Sequence, residues 1–280
     1  MKYPFPVYDA HNHLQDERLE SQFPSIAQSL EEIPVRKAVV NGTREADWPS
    51  VAGLATKYGW VIPSVGLHPW HVNHRSENWE QRFLETLDTD GRPWAVGEIG
   101  LDRWIEDHDF PVQQDVFRTQ LRHATKRNLP VSIHCLQAWG PMLEALQEEK
   151  LPQCGFLLHS YGGSAEMVKP FVELGAYFSM SGYFAHERKA RQREVFKEVP
   201  MDRLLLETDA PDMTPPSSHA LHFLSDSQGG ELNHPGNIPA VYELASELYT
   251  IPMEELAATV ETNFGRIFAK FCDQKAGTDR

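Results

Sequence analysis

Two histidines one residue apart, His11-Asn12-His13, close a short apolar run that begins at Val7. On a strand, residues i and i+2 share a face, so both imidazoles can be offered together to a divalent cation. A lone HxH pair is a weak metal signal, because a backbone hydrogen bond satisfies a strand-end histidine equally well. The signal strengthens along the chain. Glu98 lies within Gly97-Glu98-Ile99-Gly100-Leu101-Asp102, and His134 follows Val131-Ser132-Ile133. His159 follows Phe156-Leu157-Leu158, and Asp209 ends Leu204-Leu205-Leu206-Glu207-Thr208-Asp209. Each follows apolar residues and precedes a loop. Buried unpaired charges are costly, so six such residues at strand ends call for a common reason. Four imidazoles and two carboxylates suit two divalent cations, and Glu98, with two oxygens, can bridge them. Glu207 and Asp209 sit two apart, so one of the two can simply be a salt-bridge partner.

The elements that must position these residues are short runs rich in β-branched and apolar side chains. They span 7–11, 37–41, 61–66, 95–99, 130–134, 156–159, 177–181 and 204–209. Such runs are too short for helices and read as buried strands. Helix-like stretches separate them, at 113–128, 164–174 and 187–198 among others, and two more close the chain at about 240–249 and 252–271. The alternation predicts an α/β fold, a single (β/α)8 TIM barrel with C-terminal helices, as one domain over 1–280. An open doubly wound sheet gives the same alternation. It more often carries a glycine-rich phosphate loop after its first strand, and none is present. In a barrel the C-terminal strand ends converge on one face, where barrel enzymes keep their sites. The longest irregular stretch, about 210–239, follows the eighth strand, and loops of that length are more often functional than idle.

Composition narrows the function classes. Lys plus Arg number 26 against 40 Asp plus Glu, a formal charge of −14 in 280 residues. That balance argues against a protein that grips nucleic acid by a broad basic surface, while leaving room for a local cationic centre. No apolar run approaches the roughly 20 residues of a membrane helix, and the N-terminal residues lack the apolar core of a signal peptide. Cys135, Cys154 and Cys272 show no metal-finger spacing. They read as buried thiols in a reducing, cytoplasmic compartment, and no obligate protein partner is inferred.

Taken in order, several motifs resemble the TatD family of metal-dependent hydrolases, whose founding members are deoxyribonucleases. They are His11-Asn12-His13, Gly66-Leu67-His68-Pro69, Gly97-Glu98-Ile99-Gly100-Leu101-Asp102, Ile133-His134, His159-Ser160 and Leu205-Leu206-Glu207-Thr208-Asp209-Ala210-Pro211. The likeness continues through Asn233-His234-Pro235-Gly236-Asn237 to Asn263-Phe264-Gly265-Arg266. The resemblance implies that His11, His13, Glu98 and Asp209 hold one metal and Glu98, His134 and His159 a second. It also implies that Asp209 orients or deprotonates the attacking water, with Glu98 as the other catalytic residue. Nitrogen-rich ligation suits Zn²⁺, Mn²⁺, Co²⁺ or Fe²⁺, and family DNases are described as Mg²⁺-dependent, so the identity stays open. The chain departs from the family where Arg103-Trp104 replaces the usual Tyr, where His234 replaces Glu in Asn-Glu-Pro, and where Tyr161 replaces Phe. None of these removes a ligand. All lie on loops that shape substrate access.

Among secondary candidates, His68 is a substrate or water contact and Arg103 an anion contact. Trp70, Trp104, Trp139, Tyr161 and Tyr183 follow strands on the same face and can either stack bases or pack the rim. His219 and His222, in the long loop, are weaker candidates for the site. The expected activity is phosphodiester hydrolysis of DNA ends or single strands. The rivals are an amide, ester or lactone hydrolase using the same metals, and a barrel that binds metal or ligand without turnover.

Overall fold

A computed structural model describes residues 3–106 and 109–272. Its eight-stranded sheet runs in sequence order, β1 to β8. The strands are β1 Val7–Asn12, β2 Val35–Asn41, β3 Val61–Val65, β4 Ala95–Asp102, β5 Val131–Leu136, β6 Phe156–Leu158, β7 Ala176–Ser181 and β8 Leu204–Glu207. Every neighbouring pair is parallel. Parallel strands covered on both faces read as unbroken apolar runs, and Val39, Val40, Phe156, Leu157, Leu158, Leu204, Leu205 and Leu206 are indeed buried.

The connecting helices are α1 Phe23–Glu31, α2 Trp48–Lys57, α3 Trp79–Leu87, α4 Phe110–Arg127, α5 Trp139–Glu148, α6 Ala165–Glu173 and α7 Ala190–Val195. Helix α4 shows why they form. Asp109 caps its start by accepting the Val112 N–H at 3.2 Å, and Val116, Phe117, Leu121 and Ala124 form the buried stripe. Asn128, left-handed at φ 48°, ends it. Helices α8 Ile238–Tyr249 and α9 Met253–Ile267 follow the barrel, and the chain breaks at Phe268 before α10 Ala269–Cys272. Two expectations were too long. The stretch 187–198 is helical only over α7, with 3-10 turns on either side, and 252–271 is two helices. Irregular loop 210–239 carries an antiparallel hairpin, β9 Phe223–Ser225 with β10 Glu231–Asn233. Strands of three residues are too short to show a period. Asp226 builds their turn by accepting the N–H groups of Gln228 and Gly230 at 2.8 and 2.7 Å.

The seam between β8 and β1 is nearly closed, by bonds beyond the end of β8. Asp209 N–H donates to the His11 carbonyl at 3.0 Å and His13 N–H to the Ala210 carbonyl at 2.7 Å. The buried Asp9 carboxylate accepts the N–H and hydroxyl of Thr208 at 3.0 and 2.6 Å. Cys135 is buried, Cys154 is half-buried, and the Cys272 side chain lies outside the described residues. No described helix is long and apolar enough to cross a membrane.

Candidate metal centre

The ends of β1, β4, β5, β6 and β8 bring His11, His13, Glu98, His134, His159 and Asp209 together. Backbone irregularity helps to aim them. Pairing of β1 with β2 shifts register between Asp9 and Asn12, and that of β4 with β5 between Val96 and Ile99, as strands next to active sites often do. A Cβ on Gly97 would lie 2.8 Å from Asn41 Oδ1, and one on Gly100 would overlap the His134 carbonyl. Only glycine lets β4 pass this close to its neighbours. Asp209 sits at φ 56°, a left-handed conformation uncommon without glycine and frequent at functional sites.

Glu98 is the centre of the cluster, and its two oxygens face different partners. Oε2 lies 3.6 Å from His11 Nε2 and 3.2 Å from His13 Nε2. Oε1 lies 3.2 Å from His134 Nδ1 and 2.8 Å from His159 Nε2. Asp209 Oδ1 joins the first set, 3.6 Å from His11 and 3.5 Å from His13. The His11 and His159 rings stack with centroids 4.0 Å apart. Burial would raise the Glu98 carboxyl, but the surrounding His68, His159, His11 and His13 hold it well below the usual carboxylate range.

Outer partners fix which ring nitrogens face inward. His13 Nδ1 lies 2.8 Å from the Asn41 carbonyl and His134 Nε2 lies 2.8 Å from Asp102 Oδ2. Both partners are acceptors, so those nitrogens carry a proton, and His13 Nε2 and His134 Nδ1 are the nitrogens left facing Glu98 for a cation to displace a proton from. Burial would lower both imidazoles, but the carboxylates around them raise both. His11 Nδ1 lies 2.6 Å from Ser132 Oγ, and His159 Nδ1 faces Glu207 Oε1 at 3.6 Å. Burial would raise Asp102, but hydrogen bonds from His134, Trp70 and the Trp104 backbone hold it at about 2. Imidazole nitrogens and carboxylates turned on one another form a nitrogen and oxygen donor set that fits divalent cations. His11, Glu98 and His159 form one close set, and His11, His13 and Asp209 another, each within 4.8 Å.

His68 is close enough to Glu98 and His134 to complete a third such set, yet its hydrogen bonding differs. Its Nδ1 accepts the Trp70 N–H at 3.2 Å, so the neutral ring carries its proton on Nε2, 3.4 Å from Glu98 Oε1. Burial pushes His68 down to about 4. It is therefore a neutral donor pointing into the site at pH 7, in keeping with a substrate or water contact.

The rim departs from expectation in several places. Tyr161 is fully buried, edge-on to Trp139 and Phe178 with its hydroxyl on the Ser164 carbonyl, and is a core residue. Tyr183 lies beneath Arg188 and Lys189. His222 stacks on His234 and His219 pairs with Ser218, so neither joins the cluster. The Arg103 guanidinium lies 3.9 Å above the Phe110 ring. Trp70 and Trp104 remain exposed. Sequence reasoning missed the outer residues Asp9, Ser132, Asn41, Asp102 and Glu207. Glu207 accepts the N–H and hydroxyl of Ser160 at 2.8 and 2.6 Å and the Ser179 hydroxyl. Polar residues inside apolar strand runs were the available signal.

The chain is similar to known proteins over most of its length. Residues 8–269 match the sequence model of the TatD related DNase family. The chain is 28% identical to YabD of Bacillus subtilis, an uncharacterized metal-dependent hydrolase, over 94% of this chain and 98% of that one. It is 30% identical to the 3′-5′ ssDNA/RNA exonuclease TatD of Escherichia fergusonii, over 84% and 88% of the two chains. The crystal structure of YjjV, a TatD homologue from Escherichia coli, superposes with a TM-score of 0.85 at 28% identity, covering 94% of this chain and 98% of that one. With its whole barrel matched by such relatives, the chain belongs to the TatD family of metal-dependent hydrolases.

Proposed function

We propose that the chain hydrolyses phosphodiester bonds, taking DNA ends or single strands, with water activated at a two-metal centre. The carrying observation is the division of Glu98, one oxygen toward His11 and His13 and the other toward His134 and His159. A carboxylate set between two nitrogen sets would suit a metal pair. We assign His11, His13, Glu98 and Asp209 to one divalent ion and Glu98, His134 and His159 to the other, a mixed nitrogen and oxygen set that suits Zn²⁺, Mn²⁺, Co²⁺ or Fe²⁺. Divalent cations there supply charge for the phosphate oxygens and bring the pKa of water toward neutrality.

The chain's own residues do the rest. Asp209 receives the proton of the attacking water. His68, neutral and protonated on Nε2, donates a hydrogen bond to a substrate oxygen. Arg103 meets a neighbouring phosphate from the rim. The long loop after β8 is anchored by Asn233, whose amide donates to the Thr208 carbonyl at 2.7 Å, and walls the Asp209 side. The free thiols Cys135 and Cys154 favour a reducing compartment such as the cytoplasm.

A net charge of −14 favours the rival reading, an acyl hydrolase for a small amide, ester or lactone. Metal-loaded protein should be assayed against 3′-labelled single-stranded DNA, aryl phosphodiesters and acyl esters. Release of terminal nucleotides supports the nuclease. Turnover of acyl esters alone removes it.

A further inference from the structure

Trp70 stands out at the rim because it is exposed and yet immobilised. Its side chain is 46% exposed, while its indole N–H donates to Asp102 Oδ2 at 2.8 Å. The same oxygen receives His134 Nε2–H at 2.8 Å. Asp102 is itself buried, and its other oxygen accepts the Trp104 and Ile105 N–H groups at 2.6 and 3.2 Å. The indole centroid lies 5.2 Å from the His68 ring and 6.5 Å from the His134 ring. A ring that only filled space would be buried. This one has a solvent-facing surface beside the proposed metal ligands, and a buried carboxylate fixes its orientation.

We propose that Trp70 is a specificity-determining residue, the platform on which the base next to the scissile phosphate stacks. The proposal rests on the phosphodiester reading above. A flat aromatic held in its bound rotamer contributes contact area with little loss of side-chain freedom. Every base has a π-face, so the platform tolerates any sequence, and stacking on it is worth about 5- to 150-fold. Of the other aromatic candidates, Trp139, Tyr161 and Tyr183 are engaged in packing or by cations, and Trp104, though exposed, is tied to Asp102 through its backbone N–H and not through its indole. With few phosphate contacts available to an acidic chain, base stacking is the attraction left to hold a nucleotide.

The test uses the full metal-loaded chain and two esters of one leaving group, the p-nitrophenyl esters of thymidine 5′-phosphate and of the abasic deoxyribose 5-phosphate. Their ratio of kcat/KM measures base preference. In Trp70→Leu the ratio should fall about 5- to 150-fold, whereas Trp70→Phe, which keeps a ring face, should retain most of it. An unchanged ratio in Trp70→Leu overturns the platform. If wild type cleaves neither ester, the phosphodiester reading falls, and equilibrium binding decides the platform separately. Tighter binding of thymidine 5′-phosphate than of deoxyribose 5-phosphate, lost in Trp70→Leu, supports it. Equal binding of the two by wild type overturns it.

Discussion

Replacing Glu207 with Gln removes a buried charge while keeping the shape of the side chain. Glu207 ends β8 with no solvent exposure. It accepts from Ser160 N–H and hydroxyl and from the Ser179 hydroxyl, and faces His159 Nδ1 at 3.6 Å. Gln can keep its carbonyl toward Ser160 and turn its NH₂ toward Ser179, whose hydroxyl then accepts. The Ser179 O–H then loses its acceptor and one amide N–H gains none, so the variant should cost about 1–3 kcal/mol, less than Ala. Ala in the same place would strand those donors, at about 1–3 kcal/mol each. What Gln loses is the negative charge that polarises His159. Removing such an outer partner typically weakens metal affinity 10- to 100-fold, or about 1.4–2.7 kcal/mol. A chelator-competition titration with Zn²⁺ or Mn²⁺, run beside thermal melts, reads both quantities. Metal affinity within about twofold of wild type, with the fold intact, would refute the claim that Glu207 tunes a metal-binding His159.

Asp209→Asn should cut turnover by about 10²- to 10⁴-fold with an unchanged melting temperature, since the amide keeps the shape and cannot accept a proton; a loss under about tenfold removes the assigned role. Binding of single-stranded DNA to that variant should show a shallow slope of log K against log[salt], because few phosphates are neutralised, and Arg103→Ala should lower the slope by about one contact. His234, whose burial beside His222 pushes it down to about 4, binds its proton more readily unfolded, where its pKa is about 6.5. Its stabilisation is therefore complete above pH 6.5 and is lost as pH falls toward 4, up to about 3 kcal/mol. His222 is shifted in the same direction and adds to it. Melts of His234→Asn, which keeps an acceptor for the Gly236 N–H, should lose acid sensitivity between pH 6.5 and 4, and equal sensitivity in both proteins counts against this.

The strands were legible because a parallel barrel buries both faces, leaving runs such as Leu204-Leu205-Leu206 that have few other readings. The inward residues were legible because a histidine or carboxylate at the end of such a run needs a partner. Glu207 and Asp9 obey the same logic, yet each stands two positions before a stronger candidate and was overshadowed by it. Ser132 and Asn41 are uncharged, so their place inside apolar runs is a weaker signal that they sit beside His11 and His13. Tyr161 misled because following a strand does not say whether a ring turns outward. It fills the space beside Trp139 and Phe171 instead. Hairpin β9–β10 packs only Leu224 and Leu232 on the core, and one core-packed residue in each three-residue strand leaves no hydrophobic pattern.

The seam at β8 and β1 joins segments far apart in sequence, since Thr208 and Asp9 are 199 residues apart. Contacts of such separation close a large loop and form late when a chain folds. The residues that make this clasp, His11, His13 and Asp209, are the same ones assigned to the first ion. An ion seated there would act as a rivet through the last joint of the barrel, adding to the hydrogen bonds that hold β1 and the segment after β8 together. Unfolding kinetics should then feel the metal more than refolding kinetics do, because the rivet is set after the transition state has passed.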